Sequence, residues 1–146
     1  MKDGSDEGVQ QAENTYLGMV VVENGSEKPR DICERTFSFA VRIVKLCQRL
    51  DQKPGVSRTL ANQLLRSGTS IGANIQEAQA GQSRADFISK NAIALKEARE
   101  SHYWLKLLAA TDILPEDTLK PLYTEADELI RILSKIIVSS KSKTTR

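Results

Sequence analysis

Aromatic side chains are scarce in this sequence: three phenylalanines, three tyrosines and one tryptophan make up 5% of it. A surface that stacks successive unpaired bases needs aromatic platforms, so readers of single strands by stacking are disfavoured. Histidine occurs once, at His102, and cysteine twice, at Cys33 and Cys47. One histidine and two thiols make a poor ligand set for a structural zinc site. No nucleophile elbow accompanies His102, which sits on the inward side of a helical pattern and reads as a packed histidine. Cys33 and Cys47 share one predicted helix, about 21 Å apart along its axis, so they read as buried thiols and not as a disulfide. No apolar run approaches the length of a membrane span. The opening residues, MKDGSDEGVQQAEN, are polar and acidic, without the apolar stretch of a signal peptide. The expectation is a cytoplasmic protein with no membrane association, no metal or other cofactor, and no small-molecule substrate.

What is present fits one ordinary globular domain. The 146 residues are 40% hydrophobic and 27% charged, with a net charge of +2. That small sum hides an asymmetry. Residues 1–30 carry six acids against three bases, whereas residues 31–146 carry eighteen bases against thirteen acids. The globular part is therefore moderately basic, enough to permit contact with nucleic acid. Residues 1–30 show no helical period and read as an irregular extension, with at most a short strand into the Asn24-Gly25 turn.

Helical periodicity begins near Asp31. Over 31–51, Cys33, Phe37, Ala40, Val44 and Cys47 form one apolar stripe, and Phe39, Ile43, Leu46 and Leu50 form a second beside it. Together they cover an arc of roughly 160°, wider than one helix seam requires. Arg35, Arg42, Lys45 and Arg49 line the opposite face. Pro54 and Gly55 stop this helix. Ser57 is the expected N-cap of a second helix over 57–80, with Leu60, Leu64, Gly68, Ile71, Ile75 and Ala78 inward and Ala61, Leu65 and Gly72 alongside. Gly81 is a suitable stop.

Ser83 caps a third helix over 83–110. Its inward face is Phe87, Asn91, Ala94, Leu95, Ala98, His102, Leu105 and Leu108; a second stripe, Ile93, Glu97, Glu100, Trp104 and Leu107, runs on the other side. A helix decorated on both sides is expected to be sandwiched between partners. Pro115 suits the first position of a fourth helix over 115–139, followed by the basic tail 141–146. Four helices with short connections predict an antiparallel up-down-up-down bundle over 31–140.

Gly68 and Gly72 lie one turn apart inside the second helix, on its buried side. Each glycine costs a helix about 1 kcal/mol relative to alanine. A phosphate-gripping glycine loop would follow a strand, which is not the context here. The remaining reason is steric: without a Cβ, another backbone can come close.

The same stretch carries a resemblance. Arg66, Ser70, Ile71, Asn74, Ile75 and Glu77, followed by Phe87-Ile88 and by Ile93-Ala94-Leu95-Lys96-Glu97-Ala98-Arg99-Glu100-Ser101 with Tyr103-Trp104-Leu105, resemble the 23S rRNA intervening-sequence protein family. FSFAVRIVKL (37–46) is similar to that family's first helix. The resemblance implies an antiparallel four-helix bundle that assembles into a ring, typically a pentamer. It also implies relatives that act as basic accessory subunits contacting nucleic acid and a reverse transcriptase. Two departures stand out: Asn74-Ile75-Gln76-Glu77-Ala78 replaces the frequent Asn-Ile-Ala-Glu-Gly, and residues 1–30 have no family counterpart.

Two carboxylate pairs invite a metal reading, Glu97-x-x-Glu100 and Glu125-x-x-Glu128. A di-iron bundle needs Glu-x-x-His on two helices, and the residue three before His102 is Arg99. Glu97 and Glu100, set among Ile93, Trp104 and Leu107, need a cation if they are partly buried. Arg66 and Arg99 are the candidates, with an ion pair at a subunit boundary and a solvated face both open. Arg66, Ile93, Glu97, Glu100, Trp104 and Leu107 are the expected subunit interface, with Trp104 as its anchor. Arg35, Arg42, Lys45 and Arg49, helped by Lys141 and Lys143, are the expected nucleic-acid contacts; a solvated basic face is the competing reading.

The sequence therefore predicts a non-enzymatic helical bundle that associates with itself and contacts structured RNA or DNA. The alternative is a protein-protein scaffold without a nucleic-acid role.

Overall fold

The computed structural model describes residues 31–143, and all regular structure among them is helical. In chain order the helices are α1 (Ile32–Asp51), α2 (Val56–Ala80), α3 (Arg84–Ala110) and α4 (Glu116–Ser142). The strand and turn expected within 1–30, and the end of the basic tail, lie outside the described residues.

Local chemistry places most helix ends. The Asp31 side chain accepts from the Cys33 N–H at the start of α1, and Ser83 Oγ accepts from the Asp86 N–H at 3.1 Å at the start of α3. Two expected caps are displaced. Ser57 lies inside α2, which begins one residue earlier because Gly55, at φ +94°, turns the chain into the helix and occupies the N-cap. Pro115 stands at the N-cap of α4, so the helix begins at Glu116. The far end of α4 runs on to Ser142, which puts Lys141 on the helix and not in a tail.

Each helix packs against the next in sequence, α1 on α2, α2 on α3 and α3 on α4, while α1 and α4 touch over a short stretch only. Between α1 and α2, Cys47 Sγ lies 3.4 Å from the Ala61 carbonyl oxygen, Ile43 faces Gly68 and Thr36 faces Gly72. Between α2 and α3, Ser67 meets Ser101 and Glu77 meets Lys90. The core is aliphatic: Ile43, Leu64, Ile71, Ile75, Leu105, Leu108, Leu119, Leu129 and Leu133 are fully buried around Phe39. Each contributes about 1.5–3 kcal/mol by leaving water.

The two glycines do different work. A Cβ on Gly68 would stand 2.7 Å from Ile43 Cγ2, an overlap, whereas one on Gly72 would stand 3.4 Å from the Thr36 backbone, ordinary contact. Gly68 therefore makes room for the Ile43 side chain, and the backbone approach expected of both glycines is met at Gly72, by Thr36. Along α1 the two expected apolar stripes separate. Phe39, Ile43, Leu46 and Leu50 are buried, but of the other stripe only Cys47 is; Cys33 and Ala40 are half-buried, and Phe37 and Val44 are exposed. On α2, Leu65 is exposed and Leu60 half-buried. His102 is half-buried on α3, edge-on to the Tyr123 ring of α4.

Candidate functional site

The short contact between α1 and α4 holds the chemistry that distinguishes this surface. Its upper part is an ionic clamp. Arg35 projects from the second turn of α1 toward α4, where Glu125 and Glu128 stand one turn apart. Arg35 Nε donates to Glu125 Oε1 at 2.6 Å and one of its terminal nitrogens donates to Glu125 Oε2 at 2.9 Å; the same nitrogen also reaches Glu128. Two parallel bonds to one carboxylate use the guanidinium's planar fork. The Arg35 pKa is pushed further upward, chiefly by the hydrogen bond to Glu125, so its charge is committed to α4. Arg35, expected on one basic face with Arg42, Lys45 and Arg49, is thus paired with α4.

Below the clamp the seam opens into a groove of about 260 Å³, lined by Arg42, Lys45, Leu46 and Arg49 of α1 and by Thr118, Pro121 and Leu122 of α4. Lys45 and Arg49 are exposed, and Arg42 is half-buried. Burial pushes the Arg42 pKa down, with the Glu125 charge opposing it. Among the described residues Arg42 makes no hydrogen bond and no salt bridge. Lys141 and Lys143 lie at the opposite end of α4 from Pro121, about 30 Å away along the axis. The expected basic patch therefore divides into a clamp residue, a groove and a distant helix end.

The α2–α3 seam carries a second clamp of the same pattern. Arg66 reaches Glu97 at 3.2 Å and also pairs with Glu100, and Trp104 Nε1 donates to Glu100 at 3.2 Å. These groups meet within one chain, so the pairing foreseen for Glu97 and Glu100 needs no second subunit. The Arg66 hydrogen bond, more than any other influence, holds the Glu100 carboxyl below its ordinary range. On the sequence alone, Glu125 and Glu128 invite only a metal reading. The signal that would have found them is the Glu-x-x-Glu spacing itself, shared with Glu97 and Glu100, since both pairs need a cation from the facing helix. Among the described residues no group of histidine, cysteine and carboxylate side chains is arranged to hold a metal ion.

Apolar surface is distributed unevenly. Phe37 is 60% exposed, and Val44 and Leu65 border a second groove of about 210 Å³ between α1 and α2 with Cys47 and Ala61. Ile93 and Tyr103 are exposed on α3, while Trp104 and Leu107 are half-buried. Burial raises the Cys47 thiol to about 11. No described helix is long and apolar enough to cross a membrane.

The comparisons agree with this architecture. The crystal structure of a protein of unknown function from the S23 ribosomal protein family of Bacteroides thetaiotaomicron VPI-5482 superposes with a TM-score of 0.68 at 46% identity, covering 73% of this chain and 98% of the other. No curated protein matches the chain. The model of the 23S rRNA-intervening sequence protein family matches residues 28–135, spanning all of α1, α2 and α3 and most of α4. This chain belongs to the 23S rRNA-intervening sequence protein family.

Proposed function

We propose that this protein is a non-enzymatic, cytoplasmic helical bundle that assembles with itself and contacts structured RNA or DNA through the basic side of α1. The observation that carries the reading is the run Arg42, Lys45 and Arg49 along one groove, none of them in a salt bridge among the described residues. Duplex phosphates are bound by such uncommitted cations, with an affinity that falls steeply as salt rises. The descending contact pairs support an up-down-up-down course: Thr36, Ile43 and Cys47 of α1 meet Gly72, Gly68 and Ala61 of α2 in turn. Exposed Phe37, Val44, Leu65 and Ile93 supply apolar surface for self-association into a ring-like homo-oligomer, for which a pentamer is the family expectation.

A mobility-shift titration of purified protein against structured RNA at several salt concentrations tests the contact. Binding that weakens steeply with salt supports it, and no shift at low salt overturns it. Light scattering tests assembly: the expected mass is several times the 16.2 kDa of one chain. A monomer at micromolar concentration overturns that part. A second reading, a protein-protein scaffold with no nucleic-acid role, draws on the same Phe37–Val44–Leu65 surface. It is the outcome if assembly occurs and RNA does not bind.

A further inference from the structure

We infer that the groove between α1 and α4 is a seat for the phosphodiester backbone of a nucleic acid, with Arg42 as its inner anchor and Lys45 and Arg49 as its outer contacts. The inference rests on the nucleic-acid reading above and assigns it to one place.

Two arginines of α1 turn toward α4. Arg35 and Arg42 are seven residues apart, two turns along the same edge of one helix. Arg35 has lost part of its hydration and is compensated by two carboxylates. Arg42 is half-buried as well, but among the described residues it has no hydrogen bond or salt bridge, and Glu125, whose charge acts on it, already accepts two hydrogen bonds from Arg35. A guanidinium withdrawn from water without a partner is costly unless an anion completes it. Its planar set of donors fits a phosphate oxygen pair better than an ammonium would.

The neighbours favour an anion of extended shape over a small one. Lys45 and Arg49 follow Arg42 at intervals of three and four residues, so the three cations line about 10 Å of groove. That is the axial length occupied by roughly three phosphates of one strand. Besides the three cations the groove is lined by Leu46, Thr118, Pro121 and Leu122, and it holds no tyrosine, tryptophan or phenylalanine on which a base could stack. The site therefore takes the sugar-phosphate backbone and leaves the bases outside, which makes it indifferent to sequence. RNA and DNA share this chemistry.

The test uses the full chain with a short RNA hairpin and a DNA duplex of the same sequence. Binding is measured by fluorescence anisotropy across a range of salt. Arg42→Gln is compared with Arg131→Gln, which removes the same charge from the exposed Arg131–Asp127 pair on α4. The expected result for Arg42→Gln is a loss of about tenfold in affinity and a salt slope reduced by about one. Arg131→Gln is expected to leave the slope unchanged, and Arg42→Lys to recover part of the affinity. Lys45→Gln/Arg49→Gln, at exposed positions that bear little on folding, is expected to weaken binding at least as much and guards against a folding defect in the Arg42 variants.

If Arg131→Gln weakens binding as much as Arg42→Gln, or if the Lys45→Gln/Arg49→Gln variant binds like wild type, the groove assignment is overturned while the nucleic-acid reading survives. If wild type binds neither probe at low salt, both fall. Tighter binding of the RNA or of the DNA probe identifies the source of the backbone and supports the seat either way, provided the Arg42→Gln loss appears with it.

Discussion

The α2–α3 and α1–α4 seams solve the same problem with different means. Both carry an arginine on one helix pairing with a Glu-x-x-Glu on the other. At α2–α3 that clamp lies over a packed interface, where Ser67 and Ser101 are fully buried and hydrogen-bonded to each other at 2.9 Å. Small residues there bring the helices together, and dispersion along the contact supplies most of the cohesion. At α1–α4 the helices touch briefly, and the clamp stands where packing is thin. An ion pair in a packed seam adds little, because the helices are already held. In a thin seam it carries a larger share, and the rest of the gap is left as a groove.

The contrast can be broken by mutation. The largest expected effect belongs to the packed part of the bundle: Gly68→Val forces side-chain carbons into Ile43 and should cost about 2–3 kcal/mol, read as a lowered urea midpoint. Gly72→Ala, with ordinary contact to Thr36, is expected to lie within about 1 kcal/mol of wild type, since the helix gains from losing a glycine. If both substitutions cost the same, close approach at Gly68 is not the reason for that glycine.

The clamps come next. Arg35→Ala leaves Glu125, whose side chain is only 19% exposed, without its cation and should cost about 1–2 kcal/mol. Arg66 is 49% exposed, and Arg66→Ala should cost about 0.5–1 kcal/mol, diminishing with salt. Equal losses in denaturant melts would show that the two seams do not differ in their reliance on charge.

Acid sharpens the same comparison. Glu100 titrates below its ordinary value of 4.5 in the folded chain, mainly because Arg66 donates to it. Its ionised form therefore favours folding; the contribution is full above that value and is lost as pH falls through the lowered one. The fall in urea midpoint between neutral pH and pH about 3 should be smaller in Glu100→Gln than in wild type. An identical fall would remove Glu100 from the α2–α3 clamp.

The smallest effect is kinetic. Cys47, buried and raised to about 11, should react with iodoacetamide far more slowly than half-buried Cys33, and its rate should rise in variants that loosen α1–α2. Comparable rates for the two thiols in wild type would mean that α1 opens from α2 readily.

Much of this was legible beforehand for a plain reason. Apolar residues recurring at helical spacing mark all four helices, and Pro54, Gly55, Gly81 and Ser83 mark the α1–α2 and α2–α3 boundaries to within a residue or two, whereas α4 runs three residues past its expected end at 139. The choice of which α1 stripe is buried was not legible. Phe37 and Phe39 are equally apolar, and only the position of α2 and α4 around α1 leaves Phe37 exposed and Phe39 buried. The basic residues of α1 were legible, but not how they are paired. Arg35, Arg42, Lys45 and Arg49 look equivalent on a helical wheel, and a carboxylate pair ninety residues away withdraws the first of them.

Periodicity and capping fixed the four helices and most of their ends, and the residue pattern along them carried the family resemblance, because each of these is local. Tertiary structure alone decided which charges are spent on one another and which remain available. Coulomb interaction and desolvation depend on distance and on the water excluded between helices, and neither quantity exists until α1 and α4 are side by side.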